Sequence, residues 1–135
     1  MPVITPFLMF TGQAEAAMNY DVSLFPNSAV TSISRVGEGE NGVPGSIRHA
    51  RFTLNGQQFM CIDSAAVHEF TFTPALSLHV QLADEHDVDR LFAALAQDGQ
   101  VLMPLAAYPF ARRYGWCSDR YGVAWQLSHG AVDLR

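Results

Sequence analysis

The sequence predicts an α+β domain in which one element order, strand-helix-three strands, occurs twice. Three observations predict it. Apolar residues recur at helical spacing in two places, Ala14-Ala17-Met18-Val22-Phe25 and Val88-Leu91-Phe92-Leu95. Around those stretches, apolar and polar residues alternate with the period of two that a half-buried strand shows. Asn55-Gly56 separates two such runs, which is a strong signal for a tight hairpin.

The first strand is expected from Ile4 to Phe10, followed by Thr11-Gly12 and a helix from Gln13 to Phe25 that Pro26 stops. Strands follow over Ala29 to Val36, Ile47 to Asn55 and Gln57 to Ser64. Gly37 to Gly45 reads as a mobile Gly-rich loop, because its glycines lack the spacing of a phosphate cradle. Ala65 to Pro74 is a linker whose Phe70 and Phe72 are expected against the sheet. In the second half, a strand from Leu76 to Ala83 sets Leu78, Val80 and Leu82 on one face and Ser77, His79 and Gln81 on the other. Asp84 is placed to cap the next helix, and Gly99 suits its end. The last strands are Gln100 to Leu105, Tyr114 to Asp119 and Val123 to Ser128, the final pair folded over an Asp119-Arg120-Tyr121-Gly122 turn. A chain of 135 residues is one domain by length, here two modules at about residues 1–64 and 75–130.

Composition excludes several function classes. The chain is 49% hydrophobic and 16% charged with a net charge of −5, and all eight of its Lys+Arg total are arginines. Without lysine there is no Schiff base, no pyridoxal phosphate anchor and no P-loop lysine. The arginines form no stripe beyond Arg112-Arg113, so nucleic acid is not an expected partner. No apolar run reaches the ~18 residues that cross a bilayer, and the N-terminus shows no signal-peptide pattern. A cytoplasmic protein is therefore expected, in which Cys61 and Cys117 stay unbridged. Neither a G-x-S-x-G elbow nor a paired-carboxylate arrangement is present.

Four strings carry a resemblance: Thr5-Pro6-Phe7-Leu8-Met9-Phe10, Phe59-Met60-Cys61-Ile62-Asp63, His68-Glu69-Phe70-Thr71-Phe72, and above all Asp119-Arg120-Tyr121-Gly122-Val123-Ala124-Trp125-Gln126-Leu127. With them the chain resembles the vicinal oxygen chelate superfamily of glyoxalases, extradiol dioxygenases and bleomycin-resistance proteins. Within it, the chain is most similar to the PhnB-like, demethylubiquinone methyltransferase-like branch. The resemblance implies paired βαβββ modules curled into a cup-shaped mixed sheet, helices outside, usually in a homodimer. It also implies a divalent metal in many members, held by one ligand from each of four strands. No Gly-rich strand-to-helix turn for a nucleotide-like methyl donor accompanies it.

Alternation then names the residues expected to line the cup, since each helix should bury the more apolar sheet face. These are Thr5, Phe7 and Met9 on the first strand, and Phe59, Cys61 and Asp63 on the fourth. From the second module come Ser77, His79 and Gln126. As a metal set this is poor: His79 is the one strong donor, Gln126 is neutral, and a third ligand falls to Cys61 or Asp63. The favoured reading is a small-molecule binding protein without metal or other cofactor. The alternative is a divalent-metal-dependent lyase, isomerase or dioxygenase. A domain that works through dimerisation alone is the third.

Overall fold

The computed structural model describes residues 1–130. It holds two helices and eight strands in two mixed four-stranded sheets, and the chain divides into two compact units, Met1–Glu69 and the remainder from Phe70.

In the first unit, β1 (Phe7–Phe10) precedes α1 (Ala14–Leu24), and β2 (Ala29–Arg35), β3 (Ile47–Leu54) and β4 (Gln57–Asp63) follow. The sheet order is β1-β4-β3-β2, with β1 parallel to β4 and the other pairs antiparallel. Asn55 and Gly56 turn β3 into β4 with φ of 48° and 82°, the left-handed pair that a two-residue hairpin needs. β1 starts three residues later than alternation predicts. Pro6 has no N–H for a ladder, and its carbonyl accepts the Met60 N–H instead.

The second unit repeats the plan: β5 (Ser77–Gln81), α2 (Glu85–Ala96), β6 (Gln100–Tyr108), β7 (Ala111–Ser118) and β8 (Ala124–His129), ordered β5-β8-β7-β6. Asp84 caps α2 by accepting the Asp87 N–H, and Val88, Leu91, Phe92 and Leu95 are buried, as their spacing requires. β6 runs three residues beyond the predicted Leu105. It lies at the sheet edge, where Pro104 is tolerated because it breaks no central ladder. Gly99 does not end α2 by a left-handed turn; Asp98 takes that conformation at φ 59°. Gly99 serves a close approach instead, since a Cβ there would lie 2.1 Å from the Ser118 carbonyl oxygen. In the linker, Phe72 lies within van der Waals reach of a Cβ built on Gly122, whereas Phe70 stays 65% exposed.

Each helix covers one sheet face. α2 lies over the face that carries Gly115, Cys117, Trp125 and Leu127: the Phe92 ring sits where a Gly115 side chain would be, and the other three are fully buried. α1 turns Ala14, Ala17, Met18 and the unexpected Asp21 inward. Two of these are alanines, so the helix can seat close to its sheet. The register partners Ala50 and Cys61, both small, are completely buried beneath it.

Candidate functional site

The face of the second sheet turned away from α2 carries the polar residues. The parallel β5–β8 register sets Ser77 beside Ala124, His79 beside Gln126 and Gln81 beside Ser128. Tyr114 and Trp116 of β7 stand opposite Ser128 and Gln126. These residues form a chain of hydrogen bonds. The Tyr114 hydroxyl donates to Gln126 Oε1 at 2.7 Å, and Gln126 Nε2 donates to Ser77 Oγ at 2.7 Å. His79 Nε2 and Ser128 Oγ form a second pair at 3.0 Å. Burial, and secondarily Tyr108, push the Tyr114 phenol above its usual pKa, so it keeps the proton it donates. Gln126 is thereby held in one orientation from both sides.

Rings wall the β7 side of this face. Tyr108, Phe110 and Tyr114 pack together, with Phe110 and Tyr114 edge to face at 4.9 Å between centroids. The Trp116 indole nitrogen is buried and has no hydrogen-bond acceptor among the described residues. Tyr114 and Trp116 are site residues that alternation along β8 alone does not reveal. Their signal lies in the Asp119–Gly122 turn, which fixes Ser118 opposite Ala124 and hence every pair behind it.

That turn is built on Asp119, buried at 4% exposure. One carboxylate oxygen accepts the Tyr121 and Val123 amides, and the other accepts the Trp125 indole N–H at 2.9 Å. Burial raises the carboxyl above its usual pKa, opposed by these bonds and one from Gly122.

Of the residues that sequence pattern assigns to a cup, the structure brings Ser77, His79 and Gln126 onto this one face. Phe7 and Met9 share the uncovered face of the first sheet; Phe7 is half exposed and meets the His49 ring edge-on at 5.8 Å. Thr5 precedes β1 and is half-buried. Phe59, Cys61 and Asp63 require correction, because they face α1. Phe59 stacks on buried Phe52, and Cys61 is fully buried with its thiol pushed up to about 12 by burial, then by the Asp63 and Asp21 charges. Asp63 Oδ1 accepts the Gly12 and Ala14 amides at 2.8 and 2.9 Å, and Oδ2 accepts Ile47 N at 3.0 Å. It thus caps α1, whose own N-cap residue Gln13 makes no side-chain cap. Met60 and Ile62, not their neighbours, take the uncovered face.

The named donors do not fit a divalent metal as a set. Cys61 is a protonated thiol under a helix, both Asp63 oxygens are occupied by amides, and Gln126 Oε1 is occupied by Tyr114. Among the described residues, no three His, Cys, Asp or Glu gather as a metal ion would need.

A separate cleft of about 920 Å³ lies within the first unit, between Thr11-Gly12, the Asn41–Ser46 loop and Ser64–His68. The loop is tied down: Val36 N donates to the Ser46 carbonyl, Gly45 N to the Val36 carbonyl, and Glu40 pairs with Arg48.

The sequence pattern of the 3-demethylubiquinone-9 3-methyltransferase family matches residues 2–128. The chain belongs to that family. It is PhnB-like, with the vicinal oxygen chelate fold. A structure described as a putative 3-demethylubiquinone-9 3-methyltransferase, PhnB protein, from Bacillus cereus is 55% identical, with a TM-score of 0.93 over 96% of this chain and 100% of that one. A Pseudomonas aeruginosa protein of 25% identity matches with a TM-score of 0.84 over 97% and 99% of the two chains. The fosfomycin resistance protein FosX from Listeria monocytogenes, at 12% identity and a TM-score of 0.62 over 97% and 94%, shares the fold. No curated protein matches the chain. Among the described residues, no helix is long and apolar enough to cross a membrane.

Proposed function

We propose that this family member binds a small organic molecule on the polar face of its second sheet, anchored at Gln126. The observation that carries the reading is the Tyr114–Gln126–Ser77 chain, in which both ends of one amide are held by side chains at 2.7 Å. Fixing a glutamine this way costs side-chain entropy. It yields a pre-oriented polar group beside aromatic walls, the usual make-up of a ligand site. A divalent-metal lyase, isomerase or dioxygenase is the weaker reading, since the donor set does not fit one. The reading includes the homodimer that the superfamily resemblance implies.

Thermal-shift screening of the untagged protein against a small-molecule library and, separately, divalent ions tests the proposal. Organic hits that stabilise the protein and lose their effect in Gln126→Leu support it. Stabilisation by a divalent ion alone, or organic hits indifferent to Gln126→Leu, contradicts it.

A further inference from the structure

The directions of the hydrogen bonds on this face assign its ligand a chemistry: we infer that it presents an oxygen acceptor, a carbonyl or carboxylate, to neutral donors from Trp116, Ser77 and Gln126. This deepens the reading above and rests on it.

The protons decide the class. Gln126 Oε1 already accepts from Tyr114, and Ser77 Oγ already accepts from Gln126 Nε2. Each of these oxygens thus holds one bond already, whereas the Ser77 hydroxyl proton and the second amide proton of Gln126 have no partner among the described residues. Trp116, opposite Gln126 in the register, adds an indole N–H that is buried with no acceptor among the described residues. A buried donor left unpaired is destabilising, so an acceptor brought to it is rewarded. Trp125, the other tryptophan, shows the satisfied case: its indole N–H has the Asp119 carboxylate at 2.9 Å. A ligand bearing only donors, such as an ammonium, would leave the buried Trp116 N–H unpaired.

The two indole N–H resonances make the test. Nitrogen-15-labelled protein is titrated with benzoate and acetophenone as acceptor-bearing probes, and with benzylamine and toluene as controls. Trp116→Phe assigns the two signals. The expected result is a downfield shift of the Trp116 indole proton with benzoate or acetophenone, an unmoved Trp125 signal, and at least a tenfold weaker affinity in Trp116→Phe. Benzylamine or toluene perturbing the Gln126 side-chain amide as strongly as the acceptor probes would overturn the acceptor assignment while leaving a small-molecule site standing. No probe perturbing Trp116 or Gln126 would overturn both.

Discussion

Asp119 and Trp125 are joined across the last hairpin by a buried bond, the indole N–H donating to Oδ2 at 2.9 Å. The other carboxylate oxygen takes two amides of the turn, so one side chain fixes both the bend and the ring behind it. Asp119→Asn keeps an acceptor for one side only and sets an NH₂ against a donor on the other. The expected loss is about 1–3 kcal/mol in denaturant unfolding. A double-mutant cycle with Trp125→Phe should show the two losses to be less than additive. Fully additive losses would mean that the bond contributes nothing.

Asp63 is expected to behave as a helix cap and not as a ligand residue. Asp63→Ala leaves the Gly12, Ala14 and Ile47 amides without their acceptor and should lower stability by about 1–3 kcal/mol. Affinity for the molecules that bind at Gln126 should be unchanged in the folded variant. Weaker binding with normal stability would restore Asp63 to the site.

Two glycines stand where side chains do not fit. A Cβ at Gly115 would lie 2.6 Å from the Phe92 ring, and one at Gly99 would lie 2.1 Å from a backbone oxygen. Gly115→Ala should cost about 1–3 kcal/mol, because the buried ring has to shift. Gly99→Ala should cost more, since the obstacle is main chain. Unfolding midpoints in the reverse order would contradict this packing.

The cysteines give a pH dependence with a definite sign. Burial pushes both thiols from 9.0 to about 12. A group whose proton is held more tightly when folded stabilises fully below its unfolded pKa. Its contribution is then lost as pH rises from 9 toward 12. Stability should fall over that window, less steeply in Cys61→Ala/Cys117→Ala. At pH 8 a disulfide reagent should label neither thiol until denaturant is added.

How much of this was legible in the sequence depended on contrast between strand faces. β8 alternates polar Gln126 and Ser128 with Trp125 and Leu127, so its faces could be told apart from letters alone. β4 offers Phe59 and Cys61 on one face and Met60 and Ile62 on the other, and hydrophobicity does not choose between them. The assembled unit decides: α1 buries Ala14 and Ala17, and Ala50 and Cys61 are fully buried on the covered face. Helix spacing found the α2 stripe but not Asp21, buried on α1 against its polarity. Ala14, a partner of Asp63, and Ser77, a partner of Gln126, each lie 49 residues away in sequence, where only the assembled sheets place them.

A crystal structure of the protein with the tightest hit of the small-molecule screen tests the central claim most directly. The account predicts ligand density within hydrogen-bond distance of Ser77 and Gln126, with an acceptor oxygen toward Trp116. Density confined to the Thr11–His68 cleft, or a ligand meeting Gln126 only through a donor, would contradict it.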